Sequence, residues 1–185
     1  MTDLARPSTQ KAARGNDLAL EVHESLLRRG ATLAVAESVT GGGLGAALTR
    51  VPGVSATFRG GVIAYATELK TSLLGVDPAL LARVGAVDPE VARRMARGVR
   101  DGLGATYGLA TTGVAGPDSQ DGHPPGEVHL ALAGPGGVVF ISLALVGDRE
   151  QVRAEAVRRA LAFARDHLAA PPTPATPGRG GKPSV

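Results

Sequence analysis

Short apolar segments with strand character alternate with amphipathic helical segments along most of this chain. Strands are predicted at Thr32–Ala36, Val62–Tyr65, Tyr107–Thr111, Val128–Ala133 and Val138–Leu145, and helices between Asp17 and Gly30, through Leu44–Leu48, over Glu68–Leu74, from Pro89 through Val99 and over about Glu150–His167. The last two strands flank the Gly134–Gly137 turn and read as a hairpin. This order predicts one three-layer α/β/α domain whose sheet is mixed, mostly parallel, and contains a C-terminal hairpin.

The two ends of the chain differ in composition from this central part. Residues 1–16 are mixed and polar, and residues 169–185 are rich in Pro, Gly, Ala and Thr. Such segments bury too little apolar surface to offset their chain entropy, so we expect a flexible arm, a domain at 17–168 and a disordered tail. No run of apolar residues has the length of a signal peptide or a membrane span. A cytoplasmic protein with no membrane partner is expected.

The net charge of +3 and the pI of 9.8 suggest a nucleic-acid partner. That excess lies at the two ends, however, because residues 17–168 carry 15 basic and 16 acidic side chains. Aromatic residues, which stack on single-stranded bases, make up 3% of the chain. A nucleic-acid partner is therefore not expected for the domain.

The absence of cysteine excludes disulfides, a thiolate nucleophile and any zinc site built on Cys. The four histidines show no metal-ligand spacing; His23 and His167 are expected on helix surfaces, His129 on a strand and His123 in a loop. We therefore predict neither a metal nor a cofactor.

Lys70 is the only lysine in the predicted domain, in a chain with 17 arginines. Arginine keeps its proton in proteins, whereas a buried lysine with a lowered pKa can act as a base. Ser38, on a strand-to-helix turn, is a hydroxyl that such a base can activate. The residues alone leave the alternatives open: a solvated lysine paired with Glu68 or Glu37, and a capping serine assisted by Thr40.

Three turns rich in glycine or hydroxyl side chains follow the predicted strands, where open α/β sheets bind their ligands. They span 36–43, 65–70 and 111–118, the last continuing as a long loop to Gly126. Arg149 precedes the last helix and can reach a phosphate, and Arg153 lies one turn further along. An ordinary loop and two surface arginines are the alternatives.

Together these residues resemble the CinA C-terminal domain family, also described as nicotinamide-nucleotide amidohydrolases. The resemblance rests on six motifs in order: Val35–Gly42, Gly61–Tyr65 leading to Lys70 and Leu74–Val76, Gly85–Val87, Thr112–Pro117, Gly147–Arg149, and Arg153. It covers Asp17 to Leu168. Only 16 residues precede it, so the stand-alone form of the domain is expected, as is the homodimer that the family favours.

The resemblance implies hydrolysis of nicotinamide mononucleotide to nicotinate mononucleotide and ammonia, without a metal. It implies that Ser38 is the nucleophile, Lys70 its base and Tyr65 a residue that positions or polarises one of them. The residues expected to bind the pyridine nucleotide are Glu37, Thr40, Gly41, Gly42, Thr112, Gly113, Gly116, Arg149 and Arg153. Backbone N–H groups of Thr40–Gly42 or of Thr112–Gly113 are expected at the oxyanion, and Arg149 or a glycine-rich turn at the 5′-phosphate.

Two departures from the family pattern concern the site. Val39 stands where the family commonly has Cys, and the loop Asp118–Pro125 has a different composition. Two other functions remain open: a nucleotide-binding module without catalysis, and a nucleic-acid accessory protein, suggested by the basic ends and by the family's association with DNA-uptake operons.

Overall fold

One five-stranded sheet organises the computed structural model, which describes the backbone of residues 7–169 and the side chains from Asp17 onward. The strands are β1 (Leu33–Glu37), β2 (Phe58–Ile63), β3 (Tyr107–Gly113), β4 (Glu127–Gly134) and β5 (Gly137–Ala144). Their order is β2-β1-β3-β4-β5; β1 is parallel to β2 and β3, and β4 is antiparallel to β3 and β5. Four strands thus share one direction, and the predicted mixed, mostly parallel sheet with its hairpin is confirmed.

Helices cover both faces of this sheet. They are α1 (Pro7–Arg28), α2 (Gly43–Leu48), α3 (Thr67–Leu74), α4 (Pro78–Val84), α5 (Pro89–Gly102) and α6 (Arg149–Ala169). The first, second and sixth pack in one apolar cluster, and α3, α4 and α5 pack in the other, on the opposite face. This arrangement confirms the three-layer α/β/α architecture.

The two faces differ in side-chain size because alternate strand residues point to opposite sides. Leu33 and Val35 of β1 face α1, α2 and α6, whereas Ala34 and Ala36 face α5. Small residues on the second face let α5 approach closely: a Cβ atom at Gly108 would lie 2.1 Å from the carbonyl oxygen of Ala96. Helix α5 therefore packs against both β1 and β3.

Helices α4 and α5 begin with the same local structure. Asp77 and Asp88 are their N-caps, accepting from the N–H groups of Ala79 and Glu90, and a proline follows each cap. The α5 start was predicted from that signature, but α4 was missed although Asp77-Pro78 repeats it.

Strand β2 lies earlier in the chain than predicted. It begins at Phe58 and includes Gly60 and Gly61, a pair that suggests a turn. A Cβ atom at Gly61 would lie 2.4 Å from Cγ2 of Val35, so this glycine serves the close approach of β1 rather than a turn.

The first helix also begins earlier than predicted, at Pro7 rather than after Asn16. Residues 7–16, predicted as part of a flexible arm, are helical; proline suits the first turn, and Gln, Lys, Ala and Arg favour the turns that follow. Residues 1–6 and the predicted tail beyond Ala169 lie outside the described residues. His23, expected on the helix surface, is buried and its Nδ1 atom lies 2.7 Å from Oγ1 of Thr57.

Candidate active site

A cavity of about 400 Å³ lies where the parallel strands β1, β2 and β3 end. Parallel strands bring the turns at their carboxyl ends to one edge of the sheet, which is the usual ligand position in open α/β folds. Of the predicted site residues, those that line it are Ser38, Tyr65, Thr112, Gly113, Gly116 and Arg149. Its volume falls within the range of small-molecule sites, roughly 300–1,000 Å³.

Lys70 and Ser38 meet beside this cavity. Lys70 is 1% exposed, its Nζ atom donates to the carbonyl of Ala64 at 2.9 Å, and the same atom lies 3.2 Å from Oγ of Ser38. Burial lowers the pKa of Lys70, against the opposing influence of the nearby Glu68 charge. Among the residues that the structure describes, no carboxylate forms an ion pair with Lys70. The alternative of a solvated, ion-paired lysine is therefore wrong.

The backbone of Ser38 is held on both sides. Its N–H group donates to the carbonyl of Thr111 at 3.0 Å, and its own carbonyl accepts from the N–H group of Gly41 at 3.1 Å. The hydroxyls of Thr40 and Thr111 lie 2.8 Å apart and join the same turn to the end of β3. Ser38 itself is 8% exposed, so its hydroxyl reaches the cavity from a fixed backbone.

Glu37 does not face the cavity. It is 2% exposed, and its carboxylate accepts from the N–H groups of Gly42, Leu44 and Gly45 at 2.8–3.0 Å. The carboxylate thus satisfies the start of α2, and both Glu37 and Gly42 lie outside the cavity lining, so their contact with substrate stays a prediction that this geometry does not support.

Of the predicted oxyanion donors in this turn, only the N–H group of Thr40 stays available. Gly41 donates to Ser38 and Gly42 to Glu37. Within the described part of the chain, no acceptor pairs with the N–H groups of Val39 and Thr40. Val39 lines the cavity, and these two groups directly follow Ser38.

Thr40, Gly41 and Arg153 lie outside the cavity lining as well. Arg153 donates from Nη2 to the carbonyl of Thr40 at 2.9 Å. The hydroxyl of Thr112 donates to the carbonyl of Ala86 at 2.7 Å and so ties β3 to a segment that lines the cavity.

Arg149 joins the second and third turns at the cavity mouth. Its Nη1 atom donates to the carbonyl of Gly116 at 2.9 Å, and its Nη2 atom donates to the hydroxyl of Tyr65 at 2.6 Å. Tyr65 is 57% exposed, and its hydroxyl bonds to this guanidinium rather than to Ser38 or Lys70. The pair places a cation and a phenol at the rim.

Several lining residues were not among the predicted site residues. Val87 and Val114 supply apolar walls, and Ser119 and Gln120 supply polar ones. Val87 and Val114 had a sequence signal, since they lie in the family motifs Gly85–Val87 and Thr112–Pro117, whereas Ser119 and Gln120 lie outside the motifs. Among the described residues, no three His, Asp or Glu side chains are grouped as metal ligands. No described helix combines the length and apolar character that a bilayer requires.

The family model of the CinA C-terminal domain matches residues 15–168 of this chain. A CinA-like protein of Frankia casuarinae is 58% identical over 147 residues, which cover 80% of this chain and 34% of that protein. A CinA-like protein of Myxococcus xanthus is 48% identical over 156 residues, covering 83% of this chain and 37% of that protein. The chain thus spans about a third of the length of these relatives.

Solved structures of similar proteins have the same fold. A competence-damaged protein (CinA) superfamily structure from Klebsiella pneumoniae superposes with a TM-score of 0.81 at 35% identity, covering 84% of this chain and 98% of that chain. A competence/damage inducible protein, CihA, from Agrobacterium tumefaciens also gives a TM-score of 0.81, at 32% identity and with coverages of 85% and 96%.

Proposed function

Because this chain belongs to the CinA C-terminal domain family, we propose that it hydrolyses the carboxamide of nicotinamide mononucleotide to nicotinate mononucleotide and ammonia. The observation that carries this proposal is the buried Lys70 amine 3.2 Å from the Ser38 hydroxyl at the edge of a cavity. A serine paired with a neutral lysine is an activated nucleophile for acyl transfer.

The first step is attack by Ser38 on the carboxamide carbon. The Ala64 carbonyl accepts one N–H of Lys70, and rotation about the Cε–Nζ bond of the neutral amine can turn its lone pair toward Oγ of Ser38, 3.2 Å away. Lys70 takes the hydroxyl proton as the new C–O bond forms. The N–H groups of Val39 and Thr40, which have no protein acceptor among the described residues, are the nearest backbone donors in sequence for the resulting oxyanion.

The second step breaks the C–N bond. Lys70, now protonated, returns its proton to the departing nitrogen, and ammonia leaves a nicotinoyl ester on Ser38. A water molecule then attacks the ester while Lys70 accepts one of its protons. Collapse of that intermediate frees nicotinate mononucleotide, and the proton on Lys70 restores the Ser38 hydroxyl.

The rim of the cavity fits the phosphorylated end of this substrate. Arg149 carries the only guanidinium among the lining residues, and it already holds two of the three turns together. A guanidinium binds phosphate oxygens through two parallel N–H groups, so Arg149 can take the 5′-phosphate while it keeps its place at the rim. Tyr65 then orients Arg149 rather than Ser38 or Lys70.

Ammonia release tests this function. Purified protein is incubated with nicotinamide mononucleotide, nicotinamide riboside, nicotinamide or NAD, and ammonia and nicotinate products are quantified. We expect turnover to be highest with the mononucleotide. Calorimetric binding of the mononucleotide without any product over hours would instead support a nucleotide-binding module. The predicted homodimer stays a prediction, which light scattering of the same preparation addresses.

A further inference from the structure

We propose that Arg153 is a positioning residue for the nucleophile, acting through the backbone of the turn that carries Ser38 and not through contact with substrate. This inference rests on the proposed function, because it assigns Arg153 a part in the same hydrolysis. It separates Arg153 from Arg149, which lies one helical turn earlier and lines the cavity.

A continuous chain of hydrogen bonds leads from Arg153 to Ser38. Nη2 of Arg153 donates to the carbonyl of Thr40, and the other end of that same peptide group, the N–H of Gly41, donates to the carbonyl of Ser38. The distances are 2.9 Å and 3.1 Å. A charged donor on the carbonyl polarises the peptide and strengthens the bond that its N–H group makes, so the guanidinium tightens the hold on Ser38.

The turn is also shaped around the guanidinium. Gly41 has φ of +54°, a left-handed conformation that few side chains adopt. A Cβ atom at this position would lie 3.2 Å from Nη2 of Arg153. The glycine therefore provides both the backbone conformation and the space that bring the guanidinium onto the Thr40 carbonyl.

The contact from Arg153 acts on the carbonyl side of Ser38, because the sheet already holds its N–H side. The N–H group of Ser38 is fixed by the carbonyl of Thr111 in β3, whereas its carbonyl side depends on the turn. Without Arg153 the Thr40 carbonyl keeps only the N–H group of Gly43, at 3.1 Å, so the Thr40–Gly41 peptide loses its charged donor and the Ser38 hydroxyl can drift from Lys70. A displacement of about 1 Å in a reacting group can cost on the order of 100-fold in rate.

Kinetics on two substrates distinguish positioning from substrate binding. Arg153→Ala and Arg153→Lys are compared with wild type on nicotinamide mononucleotide and on nicotinamide riboside, which lacks the phosphate. We expect kcat of Arg153→Ala to fall on the order of 10- to 100-fold on both substrates, as for a misplaced nucleophile, with little change in KM. Arg153→Lys recovers part of kcat, because an ammonium can still donate to the Thr40 carbonyl.

Two matched variants on the same helix calibrate the result. Arg149→Ala is expected to raise KM for the mononucleotide and not for the riboside, because its guanidinium faces the phosphate. Arg159→Ala removes a half-exposed guanidinium whose partner is Glu155 and leaves both constants unchanged. Gly41→Ala places a methyl group 3.2 Å from Nη2 of Arg153 and so disturbs the same contact. This variant is expected to lower kcat as Arg153→Ala does.

Two results would overturn the inference: a loss in Arg153→Ala confined to KM of the mononucleotide, or unchanged kcat in folded Arg153→Ala and Gly41→Ala. If wild type releases no ammonia, the proposed function fails, and the rate at which a fluorophosphonate labels Ser38 decides the positioning role. Slower labelling of Arg153→Ala than of wild type then supports it. Equal labelling, or no labelling of either protein, contradicts it.

Discussion

The Nζ atom of Lys70 and the Oγ atom of Ser38 lie 3.2 Å apart, although 32 residues separate them in the chain. Lys70 is buried, and its second partner is a backbone carbonyl rather than a carboxylate. Among the described residues no carboxylate forms an ion pair with this ammonium, and the charge of Glu68 offsets its desolvation only in part. The surroundings therefore shift the balance toward the neutral amine, the form that can accept a proton from serine.

Lys70→Arg places a permanent cation at this position and removes the base. Arginine does not lose its proton in proteins, so we expect kcat/KM to fall roughly 100- to 10,000-fold, the range of general-base catalysis. The measurement is ammonia release from nicotinamide mononucleotide, with circular dichroism to confirm folding. Undiminished activity at neutral pH would exclude Lys70 as the base.

The pH dependence of kcat/KM follows from the lowered pKa of Lys70. Activity requires the neutral amine, so kcat/KM rises with pH, with the midpoint of the rise below 10.5, the ordinary lysine value. The charge of Glu68 opposes the lowering, so Glu68→Gln is expected to move the rising limb to lower pH. Glu24→Gln, which removes an exposed carboxylate on α1, is the control. If the rising limb of kcat/KM in Glu68→Gln stays in place or moves to higher pH, the assignment of this limb to Lys70 is contradicted.

The same shift links stability to pH. Because the folded pKa of Lys70 lies below its unfolded value of 10.5, the unfolded chain binds this proton more tightly between those two values. The contribution of Lys70 to the free energy of unfolding therefore rises with pH through that window. Urea denaturation of wild type and Lys70→Met at several alkaline pH values isolates this contribution. The free energy of unfolding of wild type, relative to that of Lys70→Met, should rise with pH. A difference that stays constant with pH would refute the linkage.

Glu37→Gln tests the role of the buried carboxylate as the cap of α2. Gln can accept with one oxygen only and turns its NH₂ group toward backbone donors, so we expect a loss of about 2 kcal/mol in the free energy of unfolding. For a chain of this size that corresponds to a melting temperature roughly 4–8 °C lower. An unchanged melting temperature would show that the three hydrogen bonds at Glu37 add nothing to stability.

Tyr65→Phe separates a role in binding from a role in chemistry. The hydroxyl of Tyr65 accepts from Arg149 and from no catalytic group, so its loss is expected to raise KM for nicotinamide mononucleotide roughly 3- to 10-fold, about one hydrogen bond. The value of kcat should stay close to wild type. A collapse of kcat at unchanged KM would place Tyr65 in the chemical step.

Local signals in the sequence accounted for most of the fold. The cap-and-proline pair at Asp88-Pro89 predicted α5, and the same reasoning applied to Asp77-Pro78 would have found α4. Strand β2 was placed too late because the role of Gly61 depends on Val35, a contact across the sheet that the local pattern does not contain. The start of α1 was placed too late because Gly15-Asn16 reads as a break.

The sequence singled out Ser38 and Lys70, but it did not predict which groups the other site residues contact. The arginine bias singled out Lys70, and the strand-to-turn position singled out Ser38, but their distance depends on the parallel pairing of β1 with β2. Glu37 precedes Ser38 and Arg153 follows Arg149 by four residues, yet each bonds to backbone groups of the turn that carries Ser38. Side-chain direction decides that outcome, and a linear motif does not encode it.

Ammonia release by wild type and by Ser38→Ala, measured side by side at equal enzyme concentration, tests whether Ser38 is the nucleophile of an amidohydrolase. We predict that wild type forms ammonia and nicotinate mononucleotide from nicotinamide mononucleotide in equal amounts. Folded Ser38→Ala should form neither above the enzyme-free rate. Equal rates for the two proteins, or no product from folded wild type, would contradict the account.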